Sequence, residues 1–148
     1  MGSTSGIDNP SFLAADEQRR LLFAVSETND GAVVSYRYDP DTGTITELSR
    51  QRSHGAAPCY VSLDASGKWL LTVNYTSGVV VVHPVHADGT LGPAAQQIEH
   101  KGSSVRSDRQ ERAHPHSIVN VPDSRIGSFR ISVWIRCSCT GLMPRKAG

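Results

Sequence analysis

Asn9-Pro10-Ser11-Phe12-Leu13-Ala14-Ala15-Asp16 returns 48 residues later as Ala57-Pro58-Cys59-Tyr60-Val61-Ser62-Leu63-Asp64. The correspondence runs through a whole unit. Arg20-Leu21-Leu22-Phe23-Ala24-Val25 is answered by Lys68-Trp69-Leu70-Leu71-Thr72-Val73, Gly31-Ala32-Val33-Val34-Ser35 by Gly78-Val79-Val80-Val81-Val82, and Gly43-Thr44-Ile45 by Gly89-Thr90-Leu91. A period in the forties, made of four short apolar runs parted by Gly, Asp, Asn and Pro, is the pattern of a β-propeller blade. One blade cannot bury both of its faces, so the repeat predicts stacked neighbours. The expected fold class is all-β: a partial β-propeller with two complete four-stranded antiparallel blades and the start of a third.

Within the first unit, residues 11–15, 21–26, 32–38 and 44–49 are expected as consecutive strands, and within the second 59–63, 69–74, 79–85 and 96–99. Asp39-Pro40-Asp41-Thr42-Gly43 and His86-Ala87-Asp88-Gly89 have turn chemistry. Gly takes positive φ there, and Asp closes an Asx turn. The uninterrupted Val79-Val80-Val81-Val82 run predicts a strand packed on both faces, and Pro84 marks its end. Residues 101–112 are polar and aperiodic, which reads as a long loop leading into the third blade.

Pro115 to Arg125 aligns without a gap on Pro58 to Lys68, after which the repeat vanishes. The remaining 126–148 segment holds two of the three cysteines, one of the two tryptophans and no acidic residue. A GC-rich back-translation of Gly127 to Gly148, read two bases later, gives FVSDLGLDPVFVYRLDAEKG. That peptide realigns on Val25 to Gly43, so the tail reads as out of frame through loss of one base near codons 126 and 127. The expected organisation is a flexible N-terminus over 1–8, a partial propeller over 9–125 and a frameshifted, non-homologous tail over 126–148. The expectation for the chain is a truncated, inactive fragment with a loosely held tail, an incomplete third blade and an open edge prone to self-association.

The balance of 15 basic against 14 acidic residues gives no strong field, so neither nucleic acid nor an anionic membrane is an expected partner. No run has the length of a transmembrane helix, and the first residues lack the basic and apolar regions of a secretory signal. A cytoplasmic location is the resulting expectation. Only Cys59 precedes the suspect tail, so no disulfide framework is expected.

Taken in order, Asn9-Pro10-Ser11-Phe12, Gly55-Ala56-Ala57-Pro58-Cys59-Tyr60, Val73-Asn74-Tyr75-Thr76-Ser77-Gly78 and Arg109-Gln110-Glu111-Arg112-Ala113-His114-Pro115-His116-Ser117 resemble the lactonase family of seven-bladed propellers. The resemblance covers about residues 8–125. It implies hydrolysis of a small anionic sugar lactone, with 6-phosphogluconolactone as the usual substrate and no cofactor or metal. A muconate cycloisomerase-like lyase is the alternative enzyme reading. A noncatalytic propeller binding module is the alternative of another class, since fold does not fix function.

Lactone hydrolysis needs an activated water, charge stabilisation at the carbonyl oxygen and a proton for the departing alkoxide. His116 is the first catalytic candidate, because it begins an inner strand after the long loop. His114, two residues away, is expected on the same face of an extended segment. Glu111 is a candidate base or imidazole partner, and Arg112 and Arg109 are candidates for binding an anionic group. Asn74, Tyr75 and Glu27, at equivalent strand ends of two repeats, are candidate channel-mouth residues. The plainer assignments are a hydrogen-bonded structural histidine, a solvated charged loop, side chains that satisfy turn amides, and for Cys59 a small unreactive thiol.

Overall fold

Two four-stranded antiparallel sheets follow one another along the chain, each with its strands in sequence order. The computed structural model describes residues 3–102, 113–120, 126–131 and 134–141, with side chains described as far as Ile118. The first blade comprises β1 (Pro10–Asp16), β2 (Leu21–Ser26), β3 (Ala32–Tyr38) and β4 (Ile45–Arg52). The second comprises β5 (Pro58–Leu63), β6 (Trp69–Asn74), β7 (Val79–Pro84) and β8 (Gln96–Glu99). These strands match the expected ones to within three residues at each end, and Pro84 does close β7.

A third sheet is built from β9 (Pro115–Asn120), β10 (Ile126–Ile131) and β11 (Trp134–Gly141), in the order β11-β10-β9. Among the described residues this third blade has three strands, two of them beyond Arg125, where the repeat alignment lapses. Repeat alignment reads side-chain identity, whereas sheet pairing needs only backbone groups and residues that suit a pleated surface. The Phe, Ile, Val and Trp content of 126–135 meets that lower requirement. Residues 3–8 also lie along the first blade: the Ser26 hydroxyl donates to the Asp8 carbonyl at 2.6 Å, and Arg50 donates to the Gly6 carbonyl at 2.7 Å.

Alternation along each central strand sends successive side chains into different interfaces. Leu21, Phe23, Val25 and Val33 of the first blade face Val61, Leu70, Val85 and Leu91 of the second, forming one buried cluster. The other face of the second blade packs Leu71, Val73, Val80 and Val82 against Ile118 of β9. Val80, Val81 and Val82 of β7 are all fully buried, with Val80 and Val82 in this second core, in keeping with the lack of polar interruption in the run. Each such side chain contributes about 1.5–3 kcal/mol on burial, so the seams hold the blades together.

Polar contacts fix the angle between the first two blades. Arg19, held by Asp16 at 2.7 Å, reaches across to donate to the Gly67 carbonyl at 2.6 Å. At the outer side Gln51 donates to the Leu91 carbonyl, the Leu91 amide donates to Ser49, and Arg37 donates to the Asp88 carbonyl. At the end where β1 and β5 begin, Gly31 lies so close to Pro58 and Ser53 that a side chain there has no room. His83 lies fully buried in β7, its Nδ1–H donating to the Gly92 carbonyl at 3.1 Å. Burial pushes its ionisation below the ordinary imidazole range.

Phe23→Ala should cost about 3–5 kcal/mol in urea unfolding, whereas Leu13→Ala, at a side chain 60% exposed, should fall within about 0.5 kcal/mol of the parent. His83 sets a pH dependence of definite sign. Its folded pKa is depressed, so on acidification the unfolded chain takes up the proton first. Stability contributed by the neutral ring is full above the ordinary imidazole range and is lost as pH falls through it. Stability measured from pH 8 to pH 5 should decline in the parent and decline less steeply in His83→Leu, whatever the latter's absolute stability.

Candidate functional site

Each inner strand starts at a proline, and each carries an extra residue immediately after it. In the β1–β2 ladder Pro10 pairs with Ser26 and Phe12 with Val25, leaving Ser11 unpaired. In β5–β6, Pro58 pairs with Asn74 and Tyr60 with Val73, leaving Cys59 unpaired. In β9–β10, Pro115 pairs with Ile131 and Ser117 with Arg130, leaving His116 unpaired. Proline has no N–H to give to a ladder, so the strand entry is where pairing is most readily interrupted. A bulge re-aims the side chain it carries, and the three bulges place Ser11, Cys59 and His116 at equivalent stations. The inner strands lie side by side, β1 against β5 and β5 against β9, so these stations share one end of the surface those strands form.

The residues before the prolines complete the entry. Asn9 and Ala57 both adopt the left-handed backbone region, with φ of 44° and 54°. For an alanine this conformation costs about 1–2 kcal/mol, and it is held by hydrogen bonds on both sides. The Glu27 amide donates to the Asn9 carbonyl at 3.0 Å, and in the next blade the Tyr75 amide donates to the Ala57 carbonyl at 2.8 Å. Ala57 donates in turn to the Thr28 carbonyl of the first blade.

Tyr75 is the centre of the aromatic cluster at this end. Its ring stacks on His114 with centroids 4.7 Å apart and meets the edge of His116 at 5.5 Å. His114 is 6% exposed, and its Nδ1 lies 3.0 Å from the Tyr75 carbonyl. A carbonyl only accepts, so Nδ1 carries the proton and the tautomer is set. His116 is exposed. The two histidines both meet the Tyr75 ring but differ in exposure. The bulge at His116 interrupts the alternation, leaving His114 as a buried support and His116 as the presented group.

Asn74 also differs from its expected place. It is fully buried, and its Nδ2 donates to the Ser53 and Val79 carbonyls at 2.9 and 3.0 Å. It braces the loop that carries Gly55 by donating to carbonyls, rather than by accepting from turn amides. Glu27 stays half-buried beside Asn9, whose side-chain amide donates to the Glu27 carbonyl at 2.8 Å. Glu111, Arg112 and Arg109 lie outside the described residues.

Cys59 is half-buried, and desolvation followed by the charge of Glu27 pushes its thiol up to about 11. At neutral pH it is a thiol and not a thiolate, which removes it as a nucleophile. Glu27 thus bears on Cys59 as Tyr75 bears on His116, one blade further on. The sequence carried a signal for this arrangement in the thrice-repeated proline at the inner-strand entries, but the bulge itself has no composition of its own. Among the described residues no group of three or more His, Cys, Asp or Glu converges to hold a metal ion. The same end of the fold has a polar cleft of about 380 Å³ between the first two blades, lined by Asp30, Arg52, His54 and Gln97 among others, none of which belongs to the aromatic cluster.

The family model described as lactonase, 7-bladed β-propeller, matches residues 1–128. The 6-phosphogluconolactonase of Bacillus subtilis (strain 168) is 34% identical over 118 residues, covering 79% of this chain and 34% of that protein. The 6-phosphogluconolactonase of Pectobacterium atrosepticum is 36% identical over 85 residues, covering 57% of this chain and 24% of its own length. Among solved structures, the periplasmic gluconolactonase of Pseudomonas aeruginosa superposes with a TM-score of 0.86 at 32% identity, covering 93% of this chain and 40% of that one. The chain spans about a quarter to a third of the length of these curated relatives. With its repeated blades, its proline-entered inner strands and this match over most of its length, the chain belongs to the lactonase family of seven-bladed β-propellers.

Proposed function

We propose that this chain supplies the histidine of a site that hydrolyses a sugar lactone, with 6-phosphogluconolactone or its unphosphorylated counterpart as substrate. The observation that carries the proposal is the placement of His116: exposed, on a bulge at the entry of an inner strand, with its ring perpendicular to that of Tyr75. The names of the relatives support the substrate class.

A lactone is a cyclic ester, and its hydrolysis is a proton-transfer problem. The neutral His116 ring takes a proton from a water molecule as the water oxygen bonds to the ring carbonyl carbon. The tetrahedral adduct then expels the ring oxygen, and the imidazolium gives the proton to that leaving alkoxide. One water is consumed, one C–O bond breaks, and the product is an open-chain hydroxy acid. A histidine serves both transfers because its two forms are both accessible near neutral pH. His114, with Nδ1 fixed on the Tyr75 carbonyl, holds the Tyr75 ring that in turn limits where His116 points. Arg109 and Arg112 are assigned to the anionic group of the substrate and Glu111 to the imidazole, on the strength of their motif.

The tail bears on the test. We propose that activity belongs to the protein read through with the base near codons 126 and 127 restored, and that the 148-residue chain is inactive by itself. In a pH-stat assay on 6-phosphogluconolactone, the frame-restored protein should turn over. His116→Gln should lower its kcat by about 10²–10⁴-fold with KM little changed. An unchanged kcat in His116→Gln would remove the assignment. Cys59 gives an independent check on the choice of histidine over thiol. In a Cys137→Ser, Cys139→Ser background, alkylation of Cys59 by iodoacetamide should be slow at pH 8 and rise as pH approaches its value of about 11. Rapid labelling at pH 7 would reopen the thiol reading.

A further inference from the structure

The bulged residues reach from blade to blade. The Ser11 hydroxyl donates to the Pro58 carbonyl at 3.5 Å, at the entry of the next inner strand. One blade on, the Cys59 thiol lies 3.9 Å from the Pro115 carbonyl and 3.7 Å from the His116 carbonyl. Both contacts run from the same repeat position to the same stretch of backbone in the following blade. Ser and Cys are both small, and both offer one hydrogen on a short side chain. The recurrence at two seams makes the link a feature of the repeat and not an accident of one cysteine.

We propose that Cys59 is a positioning residue for His116, and that the side chain at each bulge holds the bulge of the next blade in place. Cys59 acts only through the His116 backbone and touches no substrate. A thiol is a weak donor, so its contribution is to direction more than to stability. Direction is what the bulge lacks, because its residue gives up the ladder pairing that fixes its neighbours. Burial and the Glu27 charge keep the thiol protonated through the neutral range, so the donor is always present. Its effect on turnover rests on the reading of His116 as the hydrolytic base; its effect on the His116 ring does not.

Cys59 also packs beside Leu71, Val73 and Ile118, so the test must separate filling space from giving a hydrogen bond. Cys59→Ser keeps a donor in less volume, and Cys59→Val keeps volume without a donor. In the 148-residue chain, the ring-proton resonances of His116, assigned by their loss in His116→Gln, report its position through the ring current of Tyr75. Cys59→Ser should leave these resonances near the parent's, and Cys59→Val should move them while the melting temperature stays close. In the frame-restored protein Cys59→Val should lower kcat by up to about 10²-fold, the cost of roughly 1 Å of misplacement, with KM unchanged and with rescue by serine. Parent-like His116 signals in Cys59→Val, or a serine variant that behaves as the valine one, would overturn the proposal. A parent without turnover whose His116 signals still follow the serine and valine pattern would sink the hydrolytic reading and leave the positioning role standing. If Cys59→Val does not fold, Ser11→Ala tests the same link one blade earlier. It should speed alkylation of Cys59 in the Cys137→Ser, Cys139→Ser background, and an unchanged rate would overturn the relay.

Discussion

Everything at the channel mouth depends on the apolar seam between consecutive blades. A four-stranded sheet whose central strands are apolar on both faces has no stable existence in water alone, and stacking is the remedy. Phe23, Val25 and Val33 find Val61 and Leu70, while Val73 and Val80 find Ile118. Because the same two faces recur in each repeat, stacking one pair fixes the geometry of the next. The inner strands are then brought side by side without any interaction of their own having to be strong.

On that frame a small backbone irregularity becomes a way to present chemistry. The proline at each inner-strand entry removes a donor and the following residue bulges out of the ladder. Serine, cysteine and histidine occupy the three stations, so one scaffold offers a hydroxyl, a thiol and an imidazole in equivalent settings. The surroundings decide what each does. Cys59 sits half-buried near the Glu27 charge and stays protonated, whereas His116 is presented to solvent beside an aromatic ring.

The blades were legible in the sequence because their determinants are local and repeated. Alternation and turn residues gave β2, β3, β6 and β8 their observed ends, and Asp39 and Asp88 cap their turns by accepting from the amides of Asp41 and Thr90. His116 and Tyr75 were legible as candidates for the same reason, since repeat position located them at strand ends. What was not legible is how neighbouring side chains divide between core and surface. His114 and Asn74 read as channel residues from spacing, but the bulge and the buried Ser53 carbonyl turned them into supports. Beyond Arg125 strands form where the repeat lapses, because backbone pairing asks less of a sequence than the repeat does.

The most direct test of this account is a crystal structure of the frame-restored protein with 6-phosphogluconate, the hydrolysis product. The account predicts the carboxylate of the product within hydrogen-bond reach of the His116 ring and beside Tyr75. Product bound instead in the cleft between Arg52 and His54, with nothing at His116, would contradict it.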